Sequence, residues 1–159
     1  MRILHLMSQT HLTGPEVYVA ALVRRQQRDG HDCMIVSDTL SVSVPARYVP
    51  MSIHNRRWPN RARNIMKLRR LVRHERIDLI HAHSRAASWL ANIVAHVTGA
   101  AYVSTVHGRQ QVHASSRRFN VYGRHIIVVC EELAVHLRRD LNIQDADIHV
   151  IRNPIEDGA

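Results

Sequence analysis

Short apolar runs alternate along this chain with longer stretches whose apolar positions recur at helical spacing, and no other feature restricts its fold so tightly. "RILHLMS" reads as an opening strand and gives way to the polar stretch "QTHLTGPE". In "PEVYVAALVRRQQRDG" Val19, Leu22 and Val23 share a helical face, Pro15 suits a first turn and Gly30 a stop. "DCMIVS" is a second strand, and the proline-bearing loop after it leaves room for a short edge strand near Arg47 to Val49. Pro59 precedes a helix expected from about Asn60 to His74, with Ile65, Leu68, Leu71 and Val72 as its apolar stripe and Arg63, Lys67 and Arg70 on another face. "RIDLIHAH" returns to strand, and "SRAASWLANIVAHVTG" is a helix with Ser84 as its cap and Gly99 as its stop. "AAYVSTVHG" is the next strand. After a looser stretch from Arg109 to Tyr122 come "HIIVVC" as strand, "EELAVHLRRDLN" as helix and "DIHVIRN" as a last strand.

That order predicts an α/β fold with an open parallel sheet, a Rossmann-like three-layer sandwich. With 159 residues the chain makes one domain, and with a single phenylalanine its core must come from Ile, Val, Leu and Ala, the mix of buried parallel strands. Ligands of such sheets bind beyond the carboxyl ends of the strands. The notable polar residues cluster there: Ser8 to Glu16, His81 to Arg85, Thr105 to Arg109, and Glu131 with Glu132.

A net charge of +9 with His neutral points to an anionic partner, and the charge is concentrated. Between Arg56 and Arg76 stand nine basic residues against one acid, Glu75. A solvated helix face, a helix resting on anionic lipid with Trp58 as an interfacial anchor, or another anionic partner would each explain this. Nucleic acid is not expected, because no aromatic interleaving, zinc module or recognition motif accompanies the charge. Cys33 and Cys130 read as two reduced thiols of a cytosolic protein, no secretory leader is visible, and no apolar run is long enough to cross a bilayer.

Several chemistries are excluded by motif. "LTGPE" is neither the GxGxxG of a dinucleotide fold nor a phosphate-binding ATPase loop, so nicotinamide chemistry and nucleotide hydrolysis are not expected. No nucleophile elbow accompanies a Ser/His/Asp set. Gly14 and the helix start behind it could offer N–H groups to an anion. Glu16 is either an exposed first-turn acid or a residue that orients the loop or substrate, and Glu131 with Glu132 read as a helix's first turn. His81, His83 and His107 could meet as a zinc or iron site, stand as ordinary hydrogen-bonded histidines, or line a polar substrate site. Because no acidic ligand pattern joins them, no metal and no cofactor is expected.

"LTGPEVYVAALVRRQQRDGHDCMIVS", "IDLIHAH", "AAYVSTVHG" and "HIIVVCEELAVHL…IHVIRNPIE", in that order, resemble the N-terminal domain of family 4 retaining glycosyltransferases, enzymes of two Rossmann-like domains in the GT-B architecture. The resemblance implies that residues 1–153 form the acceptor-side domain and 154–159 the start of an interdomain linker. It implies catalytic roles for His107 and Gly108, with His107 near the transferred sugar and Gly108 shaping the turn. It further implies that Gly14, Glu16, His83 and Arg109 bind substrate or phosphate, with His81 in support. Trp58, Arg61, Lys67 and Arg70 would contact an anionic membrane, making the protein cytoplasmic and peripheral on the membrane's inner face. The implied partners are a nucleotide-sugar donor, held through a second domain, and a glycan or lipid-linked acceptor. No metal would be required.

The chain departs from the family pattern twice. Thr13, Gly14, Pro15 and Glu16 occupy a loop that usually has two adjacent glycines before the Glu, so one glycine is replaced and a neighbour is a stiff proline. Asn153, Pro154, Ile155 and Glu156 replace an Asn-Gly crossing, so the hinge would be set differently. A noncatalytic Rossmann-like module that binds an anionic surface or a protein is the competing expectation.

Overall fold

The computed structural model describes residues 1–9, 14–112, 114–144 and 146–152. Seven strands form one wholly parallel sheet, β1 (Arg2–Leu6), β2 (Asp32–Ser37), β3 (Arg47–Pro50), β4 (Leu79–Ala82), β5 (Ala101–Val106), β6 (His125–Val128) and β7 (Asp147–Val150), in the order β3-β2-β1-β4-β5-β6-β7. The order reverses between β1 and β4, the topological switch point at which doubly wound sheets open a crevice. Among the described residues five helices connect the strands: α1 (Gly14–Arg28), α2 (Trp58–His74), α3 (Arg85–Thr98), α4 (Ala114–Arg118) and α5 (Glu131–Arg139).

Strand periodicity separates two faces. Ile3 of β1 and Met7 just past it, with Cys33 and Ile35 of β2, pack on Val19 and Val23 of α1. Leu4, Leu6, Val36, Ile80 and Ala82 point the other way and pack on Leu68 and Val72 of α2 and on Leu90, Ala91 and Val94 of α3. Ala82 is in register with Ser104, and Ser104 with Ile126, so the packing of Ile126 and Val128 on Leu133 and Leu137 puts α5 on the α3 face too. The result is the expected three-layer sandwich, with α1 across one face and α2, α3 and α5 across the other.

Most expected elements form where the period placed them, including the edge strand at Arg47. Two differ. The second helix begins at Trp58, not Asn60, because a proline in the first turn sacrifices no hydrogen bond. The stretch read as loose contains the short helix α4. Ser84 caps α3 by accepting from the Ala87 N–H at 3.2 Å, and Gly99 ends it in the left-handed conformation, φ 79°. Gly123 is required for a second reason: at φ 81°, a Cβ added there would lie 2.6 Å from the Tyr102 ring. Residues 153–159, which hold the departures at Asn153, Pro154, Ile155 and Glu156 and the expected linker, lie outside the described residues.

Candidate functional site

The histidines gather at the carboxyl ends of β1, β4 and β5, under α1. His5 is in register with His81, and the pairing continues one residue past β4 through the His83 N–H to the Leu6 carbonyl at 2.9 Å. His81 and His83 therefore share a face, with ring centroids 4.0 Å apart. His107, just past β5, completes a row of four with His5, His81 and His83.

The hydrogen bonds orient these rings. His5 Nε2 meets the Gln26 Oε1 at 2.8 Å, and the same oxygen accepts from the Cys33 thiol at 3.6 Å. A carbonyl oxygen only accepts, so His5 carries its proton on Nε2 and leaves Nδ1 bare. That Nδ1 accepts from His83 Nε2 at 3.0 Å, and the bare Nδ1 of His83 faces His107 Nε2 at 3.4 Å. The chain leaves Nδ1 as the basic nitrogen of His107. His81 is tied separately, its Nε2 2.7 Å from Thr105 Oγ1.

The rings are neutral. Burial pushes the pKa of His5 down to about 4, opposed by its bond to Gln26, and burial takes His107 to about 4 as well. Burial and then the neighbouring imidazoles hold His81 and His83 well below the ordinary value. Tyr18 of α1 stands edge-on to His107, centroids 4.9 Å apart, and burial raises its phenol pKa against a bond to Thr105. Such a row can donate or accept hydrogen bonds to a sugar hydroxyl in a defined sense without adding charge.

His5, His81 and His83 each offer a ring nitrogen within 4.8 Å of the others, so among the described residues these three could hold a divalent ion. Any such ion would displace existing bonds, because both nitrogens of His5 and of His83 already face partners. This is not the grouping of His81, His83 and His107 weighed from the sequence, for which the role of His5 was invisible.

A cavity of about 380 Å³ opens over the row, with His83, Thr105, His107 and Gly108 at its floor and Pro15 and Arg85 among its walls. Gly108 takes no left-handed backbone, and an added Cβ would meet nothing within 4 Å, so the turn does not itself demand glycine there. The turn is instead held by His136 of α5, whose Nε2 accepts the Gln110 N–H at 3.2 Å while Nδ1 donates to Asp140 at 2.6 Å. Gly14 begins α1, with open space where a side chain would stand.

Two of the expected site residues do not line the cavity. Glu16 is wholly buried rather than an exposed first-turn acid: its Oε1 accepts the N–H groups of Ser41 and Val42 and so ties the loop after β2 to the start of α1. Arg109 turns out of the cavity to pair with Asp140 at 3.2 Å, and its side chain is 74% exposed. Asp38 had no sequence signal beyond its place after a strand, yet it accepts the Gln9 N–H at 3.2 Å and the His54 N–H at 2.7 Å, joining the loops at the cavity mouth.

The basic segment divides into two parts. Lys67 and Arg70 are exposed along the outer side of α2, beside the exposed Met66. Trp58 and Arg61 turn instead toward α3: Trp58 meets Trp89 edge-on at 6.2 Å, and the Arg61 guanidinium lies 4.5 Å from the Trp89 ring centroid. Among the described residues no helix is long and apolar enough to cross a membrane, and both cysteines are free.

Several solved structures share this fold. A glycosyltransferase from Rickettsia africae ESF-5 superposes with a TM-score of 0.85 at 19% identity, covering 95% of this chain and 42% of that one. The lipopolysaccharide outer core galactosyltransferase WaaB superposes at 0.74 and 11% identity, covering 98% and 46%. Anabaena Alr3699/HepE, solved with UDP and glucose, superposes at 0.71 and 15% identity, covering 96% and 44%. At these identities the likeness establishes the fold, and the chain spans under half the length of each. No curated protein matches the sequence significantly. The model of Glycosyltransferase Family 4 matches residues 12–158, nearly the whole of the sequence, and by that match the chain belongs to glycosyltransferase family 4.

Proposed function

We propose that this domain is the acceptor-side half of a retaining GT-B glycosyltransferase, closing near residue 153 and led by 154–159 to a second domain that binds a nucleotide-sugar donor. The observation that carries this reading is the cavity floored by His83, Thr105, His107 and Gly108 at the switch point of the sheet. A glycan or lipid-linked acceptor enters that cavity, and its hydroxyl approaches the donor sugar from the face the diphosphate leaves. Neutral His107 meets a hydroxyl of the transferred sugar, oriented through the ring chain from Gln26. The start of α1 at Gly14 supports the leaving diphosphate through its N–H groups and dipole. Closure of the second domain excludes water from the cleft. No protein nucleophile is required, in keeping with a cavity that no carboxylate lines among the described residues.

The exposed Lys67 and Arg70 support peripheral docking on an anionic membrane, with the acceptor delivered from it. Residues 1–159 alone are expected to transfer no sugar, because half the clamp on the transition state belongs to the second domain. Incubation of this chain with nucleotide sugars and lipid-linked acceptors tests that point, and turnover by the chain alone would refute the division of labour.

A further inference from the structure

The cavity over the histidines is joined to a second one, of about 350 Å³, through Arg56, Arg85 and Ala86, which line both. The second is walled by Trp89, Phe119 and Val121 and holds Arg61. Among the described residues, neither cavity is lined by a carboxylate, and none of Arg56, Arg61 and Arg85 takes part in an ion pair. Burial and then the nearby Arg56 lower the Arg61 pKa, so these guanidinium groups are close enough to oppose one another.

Two further groups are left over at the junction. Tyr122 is 2% exposed, lines the first cavity, and has a buried hydroxyl. Arg85 interacts with that hydroxyl closely enough to counter the effect of burial on it, and the Arg85 Nη1 is itself buried. Buried groups of this kind cost free energy until something pairs with them. Arg85 is also the first residue of α3. Ser84 satisfies the N–H of Ala87 by its side chain, which leaves the N–H groups of Arg85 and Ala86 without intrahelical acceptors and the positive end of a long helix facing the junction.

Arg56 is held there by its own loop. Asn60 and Asn64 both donate to the Ser52 carbonyl, at 2.7 and 2.8 Å, and Asn60 also donates to the Asn55 carbonyl at 2.8 Å. Asp38 pins His54 on the other side. A cation on a pinned loop, a cation at a helix start and a buried hydroxyl converge, with no carboxylate among the described residues that line the two cavities.

We propose that this junction is a phosphate subsite, and that the acceptor is a phosphorylated molecule whose phosphate or diphosphate is held by Arg56, Arg85 and the start of α3. This rests on the transferase reading above and narrows its substrate class. Because α1 and α3 lie on opposite faces of the sheet, their N-termini flank the cleft from opposite sides. The donor's diphosphate belongs to the α1 side and the acceptor's phosphate to the α3 side, with His107 between them. The aromatic wall of the second cavity then receives the apolar or sugar portion beyond the phosphate.

The test is titration of the ¹⁵N-labelled chain with inorganic phosphate and with pyrophosphate, followed by amide and indole resonances. Saturable shifts of the Arg85 and Ala86 amides and the Trp89 indole are expected, with affinity about tenfold weaker in Arg56→Gln and Arg85→Gln and unchanged in Arg28→Gln. Shifts confined to the start of α1, or equal affinity in all variants of preserved spectral dispersion, would overturn the subsite. Phosphatidylglycerol vesicles form a second arm: a response of Arg85 and Ala86 to vesicles and not to soluble pyrophosphate would assign the site to a lipid headgroup and overturn the acceptor assignment. In protein that carries the donor-binding domain, Arg85→Gln should raise the acceptor KM for a phosphorylated acceptor and leave its dephosphorylated form untouched. Equal KM effects on both would sink the subsite alone, whereas saturable pyrophosphate binding with no sugar transfer at all would sink the transferase reading alone.

Discussion

The two faces of the central strands solve different problems with alternate residues of the same segments. On the α3 face, Leu4, Leu6, Ile80 and Ala82 are wholly buried and make only apolar contacts. On the α1 face, the interleaved positions carry His5, His81, His83 and Thr105, almost as deeply buried, and each finds a polar partner. The first arrangement is stabilised by area and close packing. The second tolerates burial only through directed hydrogen bonds, which also orient its groups toward a cavity. A sheet can thus hold its stability on one side while presenting polar chemistry on the other.

The sharpest way to break that contrast is to truncate the apolar side. Ile80→Ala, in the middle of the sheet, should cost about 2 to 5 kcal/mol in chemical denaturation. A loss below about 1 kcal/mol would mean that the α3 face is not the stabilising one. His5→Leu tests the polar side, since it adds apolar character yet strands Gln26 and His83. It should destabilise by about 1 to 3 kcal/mol, and a stabilised variant would show that the hydrogen bonds on the α1 face do not matter.

Acidity separates the faces as well. Folded pKa values of about 4 for His5 and His107 lie below the unfolded value of 6.5, so the unfolded chain binds more protons between them. Stability should be full above pH 6.5 and fall as the pH drops from there toward 4, by up to roughly 1.4 kcal/mol per pH unit for each histidine that titrates in full. Denaturation midpoints that stayed flat across this window would contradict the neutral row. In His5→Leu the slope should be shallower, and in Ile80→Ala unchanged.

Smaller effects test the edges. Glu16→Ala should cost about 1 to 3 kcal/mol and speed hydrogen exchange at the Ser41 and Val42 amides, whereas an exposed acid would change neither. Lys67→Ala with Arg70→Ala should leave stability within about 0.5 kcal/mol and weaken binding to anionic vesicles by about 1 kcal/mol per residue removed. Unchanged vesicle binding would remove α2 from the membrane account.

The layers of the fold were readable because parallel strands and amphipathic helices write their periods into local sequence, and even the marginal strand at Arg47 was marked by its proline boundaries. The site was readable only in part. "HAH" and "THG" stand at strand ends and so announced His83 and His107. His5 did not, because its membership depends on β1 pairing with β4, 76 positions away in the register of His5 with His81; a lone imidazole inside an apolar strand was the available hint. Glu16 was left open between an exposed acid and a loop-orienting one because its partners are backbone N–H groups from another loop, which carry no residue signature. Arg109 was drawn toward the cavity by its neighbours, while the acid that captures it, Asp140, lies 31 residues on. Arg85 stood out only as the end of the polar cluster after β4, and Tyr122 not as a site residue at all, since a buried polar group becomes visible only when every neighbour is in place.

The reading of this domain as half of a retaining transferase is tested most directly by following sugar transfer, with product stereochemistry assigned by NMR, in protein that carries the donor-binding domain. Transfer should preserve the donor's anomeric configuration and fall by about two orders of magnitude or more in His107→Ala, with the fold intact. An inverted product, or undiminished transfer in His107→Ala, would contradict the account.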